Sequence, residues 1–420
     1  MVKFERFKLD NGLTVLVHED RTTAMAVVNI LYNVGARDES EDQTGFAHLF
    51  EHLMFGGSVN IPNYDAPLQK VGGENNAFTS NDITNYYITL PANNLETAFW
   101  LESDRMLSLA FSEQSLEVQR QVVCEEFKQR YLNQPYGDVW LNLRPLAYKV
   151  HPYRWATIGK ELRHIEEAKM EDVKAFFQKF YTPQNAIMVV AGDVTLEQVK
   201  TLSEKWFGDI PAGNKYDRDL PQEPKQLEAR RQEVLADVPV SSIYIAFHGP
   251  DRHHDDYQVI DLISDILSRG SSSRLYRKLV KDKQVFSEIT AYVVGSIDSN
   301  LFVVEGKPHE GVSMEEAENL IWSELEVLKN SLVNDHELEK VKNKIESTLM
   351  FAELSILDKA MNLAYYELIS KGEDYNTEIE KYLKINPSSI QRVAQEIFRK
   401  ENSNTLIYRV KEGEESYVGS

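Results

Sequence analysis

Residues 211–230 form a polar stretch with three prolines, and the same kind of pattern stands on either side of it. Proline breaks both helix and strand ladders, so the stretch reads as a linker. Before it, short strand-like runs occur at 13–17, 26–32, 86–90 and 186–191. Helical runs fill the gaps at 44–55, 64–71, 93–108, 112–130, 171–180 and 195–206. After it come strand-like runs at 242–247, 289–294 and 302–306, with helical runs at 254–268, 272–281, 313–331 and 334–352. A chain of 420 residues is long for one core. Strands interleaved with long helices predict an α+β fold of two similar sandwich domains. Their expected bounds are 1–210 and 231–420, joined by 211–230. The repetition lies in pattern, not in identity.

The first half holds His48-Leu49-Phe50-Glu51-His52, which reads H-x-x-E-H. On a helix the two histidines share one face, one turn apart, and can grip one zinc ion. Glu51 lies on the same side, where it can take a proton from an attacking water. Phe46, Ala47, Leu49, Phe50, Leu53 and Met54 make this helix apolar nearly all round, hence buried. Thr44 is the expected N-cap, Gly45 tolerates close packing, and Gly56-Gly57 is the expected C-cap. The alternative is a pair of core histidines held by hydrogen bonds. Catalytic zinc usually takes three protein ligands and leaves one position for water. Residues 112–130 read as a helix with Leu116, Val122, Val123 and Phe127 as apolar members. Either Glu125 or Glu126 could reach across from it.

Taken together these segments resemble the pitrilysin family of zinc metallopeptidases, the inverzincins that include insulin-degrading enzyme and mitochondrial processing peptidase. Arg120-Gln121-Val122-Val123-Cys124-Glu125-Glu126 is similar to the family's ligand helix and implies Glu126 as the third ligand. Seventy-three residues lie between it and His52. Glu125 is then a solvated carboxylate. Asn11 to Leu16, Gly35-Ala36-Arg37-Asp38-Glu39, Phe55 to Ser58, His151-Pro152-Tyr153 and Tyr181 to Asn185 resemble further family segments. So does Ser272-Ser273-Arg274-Leu275. Asn76, Ala77, Phe78 and Thr79 resemble its substrate-binding edge strand. The resemblance implies one Zn2+ per chain and mainly antiparallel sheets covered by helices. It also implies that the two domains form half of a clam-shell chamber in which unfolded peptides are hydrolysed. The expected substrate lies extended as an added strand.

Two departures carry consequences. Gln119, seven residues before Glu126, stands where the family often has a second glutamate. An amide there can hydrogen-bond but adds no negative charge near a metal. Val280 and Ser287 stand where the family carries an arginine and a tyrosine that hold the substrate carbonyl. Arg277 and Tyr292 are nearby but off the expected spacing. This implies a heterodimer with a homologous subunit, the partner supplying that pair, or else a homodimer that tolerates the loss. The competing reading is a non-catalytic assembly subunit of the same family.

A net charge of −20 argues against nucleic-acid binding. The one cysteine, Cys124, excludes an internal disulfide and reads as a small buried hydrophobe. No run is long and apolar enough to span a bilayer. The first residues lack the apolar core of a signal peptide, so a cytoplasmic location is expected, or a periplasmic one if a leader has been removed. His253-His254 read as loop residues.

Overall fold

Alternating and continuous apolar runs assemble into two mixed sheets in the computed structural model, which describes residues 1–411. The first sheet comprises β1 (Glu5–Lys8), β2 (Thr14–Glu19), β3 (Met25–Tyr32), β4 (Glu74–Thr79), β5 (Thr84–Pro91) and β6 (Ala186–Gly192). Its order is β1-β2-β6-β3-β5-β4. Only the β2–β6 pair is parallel; the rest are antiparallel. Val27, Val28, Ile30, Val189 and Val190 are fully buried, which is why the central strands read as unbroken apolar runs. The helix Ile356–Ile369 sets Ala360, Leu363 and Ala364 against Leu16, Val27, Leu31 and Val189 of this sheet. Lys359 of that helix donates to Asp20 Oδ2 at 2.6 Å. Met1–Lys128, His151–Pro221 and Glu346–Ile379 thus form one compact unit.

The second sheet comprises β7 (Arg230–Ala236), β8 (Ser242–Gly249), β9 (Phe286–Val293), β10 (Asn300–Pro308) and β11 (Ser403–Val410). Its order is β7-β11-β8-β10-β9, with β7–β11 the parallel pair. The two topologies coincide once β1 is set aside. In each, the last strand inserts between the first two, parallel to one and antiparallel to the other. A hairpin then runs to the far edge. Gln129–Val150, Gln222–Ile345 and residues 380–411 form this second unit.

Several local expectations shift. The histidine helix spans Phe46–Leu53, shorter at both ends than 44–55. The Glu126 helix spans Glu113–Phe127 and ends in a π-helical turn, Lys128–Leu132. Its Val122 is 44 % exposed, whereas Leu116, Val123, Cys124 and Phe127 are buried. Tyr276–Asp282 is π-helical. β1, β7 and β11 and the helix Val139–Ala147 add elements beyond the expected runs. β1 and β7 are polar edge strands without an apolar run to announce them. His253 and His254 lie in a turn, where His254 Nδ1 accepts from Asp256 N at 3.1 Å.

Candidate metal centre

The Phe46–Leu53 helix starts from Gly45, whose φ of 88° lies in the left-handed region that favours glycine. A Cβ on Gly45 would meet Ile158 O at 2.6 Å. Thr44 is not the cap, because the left-handed Gly45 stands between it and the helix. Its Oγ1 instead accepts from Lys160 N at 2.7 Å and contacts His164 Nδ1 at 2.9 Å. The N–H groups at the start of the helix, which lack an intrahelical acceptor, are taken by Glu39. Its Oε2 accepts from Gly45 N at 2.9 Å and its Oε1 from Ala47 N at 2.8 Å. A carboxylate there also complements the helix dipole. Burial pushes the Glu39 carboxyl well up, and these two N–H bonds oppose the shift. At the other end the helix closes at Met54, before Gly56-Gly57.

His48 and His52 stand one turn apart with ring centroids 4.8 Å from each other, edge to face. Glu126 Oε2 lies 3.8 Å from His48 Nε2 and 3.5 Å from His52 Nε2. Among the described residues, these three form the one group of His, Cys, Asp and Glu with ligand atoms all within 4.8 Å. Metal–ligand bonds of roughly 2.0–2.1 Å in a tetrahedron place neighbouring ligand atoms about 3.4 Å apart. Two imidazoles and a carboxylate at these separations therefore fit zinc after a contraction of a few tenths of an ångström on the measured edges. Arg120 fastens the Glu126 helix to the 165–168 segment, with Nε donating to Ile165 O at 3.2 Å and Nη2 to Ala168 O. Glu125 is exposed and pairs with Lys128 at 2.8 Å.

Glu51 Oε2 accepts from Thr79 Oγ1 at 2.6 Å. Burial pushes the Glu51 carboxyl up; the Thr79 bond and His52 pull it down, and Glu126 adds to the rise. Thr79 ends β4, the edge strand of the first sheet, which pairs only with β5. Ala77 N donates to Asn76 Oδ1 at 2.9 Å. That N–H therefore lies outside the ladder and faces the open edge. Phe78 is 40 % exposed. Gln119 is half-buried on the Glu126 helix, two turns before Glu126 and on the same face. In the second unit, Val280 lies in the π-helical segment. Ser287 on β9 donates its hydroxyl to Lys307 O at 2.9 Å, and Tyr292 donates to Glu305 at 3.4 Å. The helix Tyr257–Ser268 follows β8 as Phe46–Leu53 follows β3. It carries Asp261 and Asp265 but no histidine. Among the described residues, the duplicated fold thus brings together one such His/Glu group. No local spacing signature announces the capping role of Glu39 or the Thr79–Glu51 bond.

The family model described as "Insulinase (Peptidase family M16)" matches residues 14–154. A second, "Peptidase M16 inactive domain", matches residues 168–345. The chain belongs to peptidase family M16, the pitrilysin-type peptidases. It is 32 % identical over 415 residues to "Zinc protease PqqE" of Helicobacter pylori, covering 97 % of this chain and 93 % of that one. Over 363 residues it is 23 % identical to "Mitochondrial-processing peptidase subunit beta" of Saccharomyces cerevisiae, covering 82 % and 78 %. The crystal structure of a protease from Helicobacter pylori superposes with a TM-score of 0.91 at 31 % identity, covering 97 % of this chain and 100 % of that one. Among the described residues, no helix is long and apolar enough to cross a membrane.

Proposed function

We propose that the chain is a zinc-dependent endopeptidase or oligopeptidase acting on unfolded peptides. The observation that carries this reading is the convergence of His48, His52 and Glu126 beside Glu51 and an open strand edge. His48, His52 and Glu126 would hold one zinc ion. Zinc, when bound, supplies a Lewis acid and lowers the pKa of water toward neutrality. Glu51 Oε2, oriented by the Thr79 hydroxyl, takes the proton of the attacking water and returns it to the leaving amine. The substrate backbone pairs along Asn76–Thr79 and displaces the Asn76 amide oxygen from Ala77 N. Backbone pairing tolerates many sequences and requires an extended segment, hence the preference for unfolded chains.

A second reading keeps the zinc site but makes hydrolysis depend on a homologous partner in a heterodimer. What favours it is that neither Val280 nor Ser287 can hold a substrate carbonyl as an arginine and tyrosine would. A non-catalytic assembly subunit has no use for Glu51. The test is cleavage of quenched fluorescent peptides by the purified chain, with and without any encoded homologue, alongside Glu51→Gln and with zinc content measured. Zinc-dependent cleavage that vanishes in Glu51→Gln while zinc stays supports the first reading. Cleavage only with the homologue supports the second. Full zinc without cleavage in either case supports the assembly subunit.

A further inference from the structure

The linker segment between the halves is tied tightly into the first unit. Arg218 Nε donates to Asp38 Oδ1 at 2.7 Å and its Nη2 to Asp38 Oδ2 at 2.9 Å. The same Nη2 reaches Asn33 Oδ1 at 3.0 Å and Asn33 O at 3.2 Å. Tyr216 OH donates to Asp38 Oδ1 at 2.9 Å, and its ring meets Phe180 edge-on. The Asp38 side chain is fully shielded from solvent and also accepts from Gly35 N at 2.9 Å. Four donors thus close on one buried carboxylate, two of them from a single guanidinium fork. Only arginine offers that planar pair.

The segment that Arg218 clamps reaches the metal centre in two directions. Ala36 N donates to Ser80 O and Arg37 N to Asn81 O, at 3.2 and 2.9 Å. These carbonyls follow Thr79, which orients Glu51. Arg37 and Asp82 form a buried ion pair at 3.1 Å across the same junction. In the other direction, Asp38 is followed by Glu39, whose two oxygens hold the start of the His48–His52 helix. One short segment therefore fixes both the ligand helix and the residue that holds the base.

We infer that Arg218 is a positioning residue of the metal centre, and that residues 216–218 of the linker belong to the site's framework. The inference rests on His48, His52 and Glu126 forming a zinc site. Outer partners that orient ligands typically change metal affinity by 10–100-fold. Arg218→Met in the full chain is expected to weaken zinc about tenfold or more in chelator competition. It is also expected to shift the visible absorption of the Co2+-loaded protein. Arg218→Lys keeps the charge but not the fork and is expected to fall between. Asp38→Asn combined with Arg218→Met removes the uncompensated buried carboxylate. That double variant recovers melting temperature without recovering zinc affinity. Wild-type zinc affinity in both Arg218→Met and Arg218→Lys overturns the inference. So does a double variant in which affinity returns in step with stability, because that marks a purely structural role. If Arg218→Met does not fold, Arg218→Lys and the double variant carry the test. A wild-type chain that binds zinc yet cleaves nothing, alone or with a homologue, defeats the peptidase reading and leaves this test standing. One that binds no zinc defeats both.

Discussion

Glu39 is the residue whose removal tests the construction of the site most directly. Glu39, a residue only 8 % exposed, uses its carboxylate to cap an eight-residue helix that carries both histidines. Glu39→Ala leaves the N–H groups of Gly45 and Ala47 buried without an acceptor. Each costs about 1–3 kcal/mol, so the two together cost about 4 kcal/mol. Part of that is returned because the variant no longer buries a carboxyl group whose ionisation burial opposes. The net loss expected is about 3 kcal/mol, above the usual helix-cap effect of about 0.5–2 kcal/mol because two buried donors lose their acceptor at once. Glu39→Gln keeps the shape and one acceptor oxygen but turns an amide N–H2 toward the other donor. It should lose about half as much, roughly 1.5 kcal/mol.

The loss has a direction along the helix. His48 sits in the first turn and His52 in the last, so fraying displaces His48 first. Zinc affinity should fall about 10–100-fold in Glu39→Ala, and hydrogen exchange should quicken at the amides of residues 45–49 before those of 50–53. Denaturant unfolding gives the stability, chelator competition the affinity, and exchange the location. A Glu39→Ala protein within about 1 kcal/mol of wild type refutes the capping argument. So does a Glu39→Gln protein as damaged as Glu39→Ala, or exchange that rises uniformly along the helix.

Other outcomes follow from single contacts. Glu126→Gln removes a charged ligand and should lower zinc affinity by more than the roughly 10–100-fold typical of outer partners, with little change in the metal-free melting temperature, read by chelator competition and calorimetry; unchanged affinity removes Glu126 from the ligand set. Ala77→Pro deletes a donor that lies outside the β4–β5 ladder. It should cut kcat/KM for peptides about tenfold while zinc content and stability hold, since an edge strand tolerates proline on its open side; unaltered kcat/KM removes strand addition at this edge. Lys359→Met breaks a largely shielded pair with Asp20 and should cost about 3 kcal/mol at pH 7, measured by urea unfolding. Its hydrogen bond from Lys359, aided by Thr22, holds the Asp20 carboxyl below its ordinary range. The pair's contribution is therefore complete above the unfolded value of about 4 and is lost as pH falls through the folded one. The gap between wild type and Lys359→Met should accordingly close in strongly acidic solution, and a gap that widens there contradicts the assignment.

What the chain announces and what it conceals divide by range. His48, Glu51 and His52 are legible because helical geometry turns a spacing of four into one face. The buried strands are legible because two covered sides leave only apolar residues. Glu126 needs a register that residues alone leave open between two neighbours, and the fold resolves the positions by exposing Glu125 toward Lys128 while turning Glu126 to the histidines. Thr44 has the right chemistry for a cap and the wrong backbone, since a left-handed glycine follows it. Its replacement, Glu39, acts from six and eight residues away through a loop whose path no local pattern encodes. β7 hides inside polar sequence because its pairing with β11 supplies from the far end of the chain what its own residues lack. Arg218 is concealed for the same reason. In a polar linker a charged residue looks like solvent-facing spacer, and only the meeting with Asp38, 180 positions earlier, makes it a clamp. The histidine pair and its base are thus written locally, whereas the third ligand and the groups that hold the others still are written in long-range contacts. That is why the motif identifies a centre and the surrounding loop decides how well that centre binds.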